Sequence, residues 1–201
     1  MGRIDAALLD AVTLDAYGTL ATLVDPLPRL HELLPGHGRA DIEAAFRAEA
    51  SFYSAHAARG RDAETLHELR EACVAVFNDA LGSSLTQAQY VESITFTALP
   101  GVGDALEQLR TLGLTLAVVA NWDFSLHDRL AELGLTQHFT TVVHAAGKPS
   151  PDGIITALRA LDVPPARALH IGDDEADAAA AVAAGVHFLP APLPEAVASL
   201  A

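Results

Sequence analysis

Five apolar runs of strand length, most of them separated by helical segments, constrain the fold more than any other feature of the sequence. The runs barely alternate between apolar and polar residues, which is typical of strands covered on both faces. Such strands in alternation with helices predict a doubly wound parallel α/β sheet. The predicted strands are Ala11–Ala16, Leu114–Ala120, Thr140–His144, Ala166–Ile171 and Val186–Leu189. The predicted helices between them are Val102–Leu112, Ser125–Leu133, Gly153–Leu161 and Ala176–Ala184.

The segment between the first predicted strand and the rest of the sheet has a different pattern, with helical periodicity and no convincing strand. Its predicted helices are Asp41–Ala58, Ala63–Leu81 and Thr86–Ile94. We therefore predict a Rossmann-like α/β core of residues 1–22 and 97–201, with an all-helical module of residues 23–96 inserted after the first strand. The residues after Pro190 predict a short surface helix.

Composition narrows the classes of function. The 201-residue chain carries a formal net charge of −14, which disfavours binding to the phosphate backbone of nucleic acids and to anionic membranes. No apolar run approaches the roughly 20 residues of a membrane-spanning helix, and the acids near the start argue against a secretory signal. We expect a cytoplasmic protein that acts on a small molecule. If that molecule is anionic, its binding site needs local positive charge. The sequence does not predict the oligomeric state.

Polar side chains occur where several of the predicted strands end. Asp15, Asn121, Lys148 and Asp173 lie at or just after such ends. Ligands of open parallel sheets bind outside the carboxyl ends of the strands, so we expect these four side chains to converge on one edge.

Asp15 is the candidate nucleophile. It is followed by a turn in which Gly18 lets the backbone bend tightly and present amide donors, while Thr19 can cap the turn or bind an anion. A carboxylate nucleophile forms a covalent intermediate that water later hydrolyses, which divides one difficult step into two.

Four acids occupy five consecutive positions after the fourth predicted strand: Asp173, Asp174, Glu175 and Asp177. Charges this dense require a counterion, and carboxylate oxygens suit Mg²⁺. The alternative is capping of the following helix, which accounts for one or two of these acids.

Lys148 is the only lysine of the chain and stands in the rigid context GKPSP. At the strand-end edge its ammonium group is suited to holding the charge of a nucleophile and the oxygens of a transferring group. The alternative is an ordinary surface lysine.

In their order along the chain, these motifs resemble those of the haloacid dehalogenase superfamily of hydrolases. The matching stretches are LDAYGTL with Asp15, the polar end of LAVVANWD, GKPSP with Lys148, and the GDxxxD of Gly172, Asp173 and Asp177. The helical insertion resembles the subfamily I cap. The resemblance covers essentially the whole chain and implies an aspartyl nucleophile on a Rossmann-like core, with a mobile cap that closes over the site.

The sequence departs from this pattern at two positions. Most phosphatases of the superfamily carry a second aspartate two residues after the nucleophile as general acid and base, and Tyr17 occupies that position here. A tyrosine there is similar to the 2-haloacid dehalogenases, whose halide leaving group needs no proton and whose chemistry needs no metal. The chain nevertheless keeps Asp173 and Asp177, as Mg²⁺-dependent members do. The usual hydroxyl of the second motif is replaced by Ala120, so either Asn121 supplies that hydrogen bond to the substrate or the contact is missing.

Arg47 is a candidate substrate-binding residue in the inserted module. The stretch FRAEASFYSAH resembles the place where dehalogenases carry an arginine that meets the substrate carboxylate and the leaving halide. Helical spacing instead predicts a packing stripe of Phe46, Ala50 and Tyr53, with Arg47 in solvent. The sequence leaves both interpretations open.

The resemblance leads to one main hypothesis, Mg²⁺-dependent hydrolysis of a small phosphorylated metabolite. Asp15 attacks, Lys148 and Thr19 bind the transferring group, and Tyr17 leaves general acid catalysis weakened. The predicted ligands of Mg²⁺ are Asp15, Asp173 and either Asp177 or Asp174.

Two alternatives belong to other classes. The first is hydrolysis of the carbon–halogen bond of a short 2-halo acid, which Tyr17 favours. The second is a catalytically impaired member that binds a phosphorylated ligand or a protein partner, which Tyr17 and Ala120 together suggest.

Overall fold

A computed structural model describes residues 4–200 of the chain. In chain order the strands are β1 (Ala11–Leu14), β2 (Ala21–Leu23), β3 (Phe96–Ala98), β4 (Thr115–Val119), β5 (Thr141–Val143), β6 (Ala168–Gly172) and β7 (His187–Pro190). The α-helices are α1 (Leu27–Leu33), α2 (Arg39–His56), α3 (Ala63–Leu81), α4 (Gln87–Ser93), α5 (Val102–Thr111), α6 (Leu126–Glu132), α7 (Asp152–Leu161), α8 (Glu175–Ala184) and α9 (Leu193–Ala198). Within residues 4–200, each helix is either too short or too polar to span a bilayer.

The chain divides into two compact units. The core unit contains the residues up to Thr22 and those from Ala98 onwards, and the helical unit is Leu23–Thr97. The chain leaves and re-enters the core unit through β2 and β3, which pair with each other in a two-stranded sheet. The sequence analysis missed both strands, because three residues each are too few for a periodic pattern.

The core unit is built on a five-stranded parallel sheet in the order β5-β4-β1-β6-β7. This confirms the predicted α/β fold with a parallel sheet. β1 lies in the middle of the sheet, with β4 on one side and β6 on the other. The carboxyl ends of these three strands are therefore adjacent, and the residues that follow them share one edge of the sheet.

Small side chains let two helices approach the sheet closely. On one face, α7 and α8 pack on the strands through a cluster made largely of alanines, among them Ala117, Ala157, Ala180 and Ala181. Because side chains alternate along a strand, Leu116 and Val118 of β4 point to the opposite face. Helix α5 also packs against β4, and it contacts α9. The predicted surface helix after Pro190 is α9, but it buries Leu193, Ala196 and Val197.

The helical unit has its own hydrophobic core. Its buried members are Leu30, Leu34, Ile42, Ala45, Val74, Phe77, Leu85 and Tyr90. Two helices begin with capping boxes, Asp62 with Thr65 on α3 and Thr86 with Gln89 on α4, which satisfy backbone N–H groups that lack partners within the helix. Helix α1 was not predicted; it carries a proline in its first turn, where proline is tolerated.

Candidate active site

Asp15 directly follows β1 and is buried, with 7% of its surface exposed. Its backbone N–H donates to the carbonyl oxygen of Ile171 on β6 at 2.9 Å, which continues the sheet ladder to the strand end. A tight turn follows, in which the N–H groups of Leu20 and Ala21 both donate to the carbonyl of Ala16. The turn fixes the direction in which the Asp15 carboxylate leaves the sheet.

Gly18 is required in this turn for two reasons. Its φ of 80° lies in the left-handed region that residues with a Cβ rarely adopt. A Cβ at this position would also lie 2.0 Å from Oδ2 of Asp173, closer than any real contact. Besides allowing the tight bend, Gly18 therefore leaves room for the Asp173 carboxylate.

Lys148 joins two carboxylates. Its Nζ donates to Oδ1 of Asp15 at 2.5 Å and to Oδ1 of Asp177 at 2.5 Å, and its side chain is 4% exposed. Burial alone would lower the pKa of the ammonium group, but the charges of Asp15 and Asp177 outweigh burial and raise it. Lys148 is therefore a buried cation, and the alternative of an ordinary surface lysine does not apply.

Asn121 holds the backbone of Lys148 in place. Its Nδ2 donates to the carbonyl oxygen of Lys148 at 2.9 Å, and its Oδ1 accepts the N–H of Lys148 at the same distance. Both ends of the side-chain amide are thus engaged with the protein. In this arrangement Asn121 orients Lys148, and its predicted contact with substrate stays a prediction.

Asp177 accepts four hydrogen bonds, two at each oxygen. Oδ1 accepts from Nζ of Lys148 and from Nε2 of His170 at 3.0 Å. Oδ2 accepts from the backbone N–H groups of Asp173 at 3.2 Å and of Asp174 at 3.4 Å. Burial alone would raise the pKa of this carboxyl, but the donors His170 and Lys148 hold it below its usual range.

Three carboxylates lie close enough together to hold a metal ion. Asp15, Asp173 and Asp177 each offer one oxygen, and these oxygens lie within 4.8 Å of one another. Burial raises the pKa of Asp15 to about 6, against the pull of Lys148. The pKa of Asp173 is also raised, by burial and then by the charges of Asp177 and Asp174. Three carboxylates thus lie beside the ammonium group of Lys148, so negative charge exceeds positive charge in this cluster.

Asp174 does not belong to this cluster. Its side chain is the N-cap of α8, where Oδ1 accepts the backbone N–H of Asp177 at 2.8 Å. The capping alternative therefore holds for Asp174, because its carboxylate satisfies a backbone N–H group at the start of α8.

Three other predicted site residues lie outside the cluster. Tyr17 projects from the turn after Asp15 and is 51% exposed. Thr19 is fully buried, its hydroxyl lacks a hydrogen-bond partner among residues 4–200, and it lines an apolar cavity of about 300 Å³ whose lining does not include Asp15 or Lys148. Arg47 lies on α2 of the helical unit, exposed and paired with Glu43 at 2.5 Å. The placement of Thr19 gives no support to its predicted role, and the predicted role of Arg47 stays a prediction.

The sequence analysis missed one polar residue of the cluster, His170. His170 lies on β6 beside Thr13 of β1 and is fully buried. The sequence signal that could have identified His170 is a histidine within an apolar strand, two residues before Gly172. Only the strand register shows what its ring contacts.

Comparison with known proteins agrees with this architecture. The family model of haloacid dehalogenase-like hydrolases matches residues 9–185. Among curated proteins, the human haloacid dehalogenase-like hydrolase domain-containing protein 3 is 44% identical over 84 residues, which is 40% of this chain and 34% of the relative. A phosphoglycolate phosphatase of Rhodobacter capsulatus is 34% identical over 116 residues, 55% of this chain and 52% of the relative.

Among solved structures, the L-2-haloacid dehalogenase of Xanthobacter autotrophicus superposes with a TM-score of 0.66 at 25% identity, covering 90% of this chain and 76% of that one. The chain therefore belongs to the haloacid dehalogenase-like hydrolase family. It spans between a third and about half the length of the curated relatives named above.

Proposed function

We propose that this protein hydrolyses a phosphate monoester of a small metabolite, with Asp15 as the nucleophile and Mg²⁺ as cofactor. The observation that carries the proposal is the convergence of Asp15, Lys148 and Asp173 at one edge of the sheet. Asp173 is central, because an uncompensated carboxylate beside the nucleophile opposes an anionic substrate unless a cation balances it.

The residues present fit a magnesium ion. Asp15 and Asp173 would hold it, since Asp177 already accepts hydrogen bonds at both oxygens. Gly18 supplies the necessary space, because any side chain there would occupy the position of the Asp173 carboxylate. When bound, Mg²⁺ neutralises the oxygens of a transferring phosphoryl group.

Asp15 performs the chemistry in two steps. A carboxylate oxygen of Asp15 attacks phosphorus, the bond from phosphorus to the ester oxygen breaks, and the alcohol leaves with a proton taken from water. Water then attacks the aspartyl phosphate, which regenerates Asp15 and releases inorganic phosphate. The Lys148 ammonium, 2.5 Å from Asp15, orients the nucleophile and offsets the charge of the incoming group.

Tyr17 limits the range of substrates. A phenol half exposed to solvent is a poor replacement for a carboxyl general acid. General acid catalysis contributes roughly 10²–10⁴-fold, so we expect slow hydrolysis of alkyl phosphates and faster hydrolysis of aryl phosphates, whose leaving groups depart without a proton. The relatives named phosphoglycolate phosphatase support a small, anionic phosphate ester as substrate.

A second candidate function is hydrolysis of a carbon–halogen bond in a short 2-halo acid. The similarity to the L-2-haloacid dehalogenase and the tyrosine at position 17 favour it. Asp15 would attack the halogenated carbon and expel halide, and water would hydrolyse the resulting ester. This chemistry gives no role to Asp173, which is why we rank it second.

One set of assays separates these functions. The purified protein is given an aryl phosphate or a short 2-halo acid, each with Mg²⁺ or with a chelator, beside an Asp15→Asn variant. We expect phosphate release that the chelator abolishes and that Asp15→Asn lacks. Halide release insensitive to the chelator would establish the second function instead. Absence of both products, together with a ligand-induced rise in Tm, would indicate a binding protein.

A further inference from the structure

His170 is a fully buried imidazole whose two ring nitrogens both have polar partners. Nδ1 lies 2.8 Å from Oγ1 of Thr13, and Nε2 lies 3.0 Å from Oδ1 of Asp177. Thr13 and His170 are directly opposite each other on the neighbouring strands β1 and β6. The ring is thus connected on one side to the middle strand of the sheet and on the other to the cluster around Lys148.

The partners determine which nitrogen carries the proton. Asp177 is a carboxylate that only accepts, so Nε2 must be the donor. Burial lowers the pKa of His170, which keeps the ring neutral. Nδ1 then carries a lone pair, and the Thr13 hydroxyl donates to it. Every polar atom of the ring is satisfied in one tautomer and one orientation.

These contacts extend as far as the nucleophile. His170 donates to the same Asp177 oxygen that accepts from Lys148, and Lys148 in turn donates to Asp15. An ammonium group on a four-carbon stem has many rotamers, and a fixed acceptor selects one of them. The position of Oδ1 of Asp177 therefore decides where the Lys148 ammonium points.

We propose that Thr13 and His170 are positioning residues for catalysis. The pair fixes the Asp177 carboxylate, and through it aims the Lys148 ammonium at the nucleophile Asp15. This inference rests on the proposed role of Asp15. It adds two residues on the buried strands to a site otherwise built from the ends of strands and the loops that follow them.

The competing explanation is that His170 only fills space. Its ring centroid lies 6.4 Å from that of Phe188, and the surrounding sheet is apolar. If packing were its sole role, leucine would serve as well as histidine, and glutamine would serve worse. Positioning predicts the opposite order, because glutamine keeps a side-chain N–H that can replace Nε2 as a donor to Asp177.

The first test compares His170→Leu with His170→Gln in steady-state hydrolysis of an aryl phosphate. We expect His170→Leu to lower kcat by about 10- to 100-fold, the usual effect of losing an outer hydrogen bond that orients a site, with KM changed less than about threefold. His170→Gln should recover most of the loss. Equal kcat values for wild type and His170→Leu would overturn the inference.

Thr13 supplies an independent pair of variants if His170→Leu does not fold. Thr13→Val keeps the shape of the side chain and removes the hydroxyl that donates to Nδ1, whereas Thr13→Ser keeps the hydroxyl. We expect a lower kcat in Thr13→Val and its recovery in Thr13→Ser. An unchanged kcat in Thr13→Val, with a loss in Thr13→Ser, would show that the methyl packing matters and the hydrogen bond does not.

The second test does not depend on turnover. Since Lys148 is the only lysine, lysine labelled with ¹³C and ¹⁵N gives a single side-chain signal in a protein purified with a lysine-free tag. We expect His170→Leu to shift or broaden this Nζ signal and His170→Gln to restore it. If the wild type releases no phosphate, the proposed function fails, but the signal still decides whether His170 positions Lys148. A signal unchanged in His170→Leu would refute positioning.

Discussion

The side-chain nitrogen of Lys148 and a carboxylate oxygen of Asp15 lie 2.5 Å apart, although 133 residues separate them along the chain. The parallel sheet creates this proximity, because Lys148 lies in the loop after β5 and Asp15 follows β1. Both loops leave the same edge of the sheet, and only β4 lies between the two strands. The two groups form a buried ion pair that Asp177 shares. Removing the cation therefore leaves two buried carboxylates without their common partner.

Lys148→Met tests this pair. We expect loss of most activity and a destabilisation of roughly 3–5 kcal/mol, the cost typical of leaving a buried charge unpaired. Activity assays and denaturant unfolding measure the two effects. The matched control is Arg110→Met, which removes an exposed ion pair with Glu107 and should cost less than about 1 kcal/mol. Similar costs for the two variants would contradict the buried arrangement.

Gly18→Ala tests the space that Asp173 requires. The new Cβ would lie 2.0 Å from Oδ2 of Asp173, so the carboxylate must move and we expect Mg²⁺ affinity to fall at least about 10-fold. Gly113→Ala is the control, because Gly113 has the same φ of 80° but open space around it. Both variants carry a backbone strain of about 1 kcal/mol. Calorimetric titration with Mg²⁺ should separate them, and equal affinities would exclude the proposed role of Asp173.

Tyr17→Asp tests the missing general acid. Tyr17 is half exposed, so the substitution disturbs little packing. A carboxyl group at this position should protonate a departing alcohol and raise kcat on an alkyl phosphate by about 10-fold or more, with a smaller gain on an aryl phosphate. Tyr17→Phe should show no such gain. If the alkyl-to-aryl ratio does not change in Tyr17→Asp, the absence of a general acid is not what limits the enzyme.

Glu49→Gln tests a buried acid in the helical unit. Burial raises the pKa of Glu49, although hydrogen bonds from Tyr90, at 2.7 Å, and from Cys73 oppose this shift. A folded-state pKa above the unfolded one means that the stabilising contribution is complete below the unfolded pKa and is lost as pH rises through the folded pKa. We expect wild type to lose stability as pH rises from the ordinary pKa of a glutamate through the raised folded-state pKa, and Glu49→Gln to lose less.

Thermal unfolding at several pH values measures this difference. The control is Glu68→Gln, which changes an exposed glutamate on α3 and should leave the pH dependence of wild type intact. A pH dependence in Glu49→Gln equal to that of wild type would show that Glu49 does not titrate in this window.

Sequence periodicity predicts the five strands of the parallel sheet, because buried strands are apolar throughout and helical segments separate most of them. It also identifies Asp15 and Asp173 as strand-end carboxylates. The roles of Asp174 and Asn121 were not predictable in this way. A helix-capping aspartate and a metal-binding aspartate are the same residue type in a sequence. The two hydrogen bonds between Asn121 and the backbone of Lys148 depend on the path of a loop 27 residues further along the chain.

His170 shows a different limit of prediction from the sequence. Its role depends on the register that sets it opposite Thr13 and on the helical turn that brings Asp177 back over the strand. Neither relationship is local in sequence. Thr19 shows the opposite error, a residue predicted to belong to the site that does not contact it. Its position next to Gly18 suggested anion binding, but the fold turns its side chain into the apolar interior.

The middle position of β1 has a consequence for how the molecule opens. Strands with neighbours on both sides exchange their amide protons mainly when the whole domain unfolds, whereas peripheral segments exchange through local fluctuations. The backbone that carries Asp15 should therefore be among the slowest-exchanging segments in deuterium labelling. Partial denaturation that melts the outer helices would leave the nucleophile's own strand intact until the last cooperative transition.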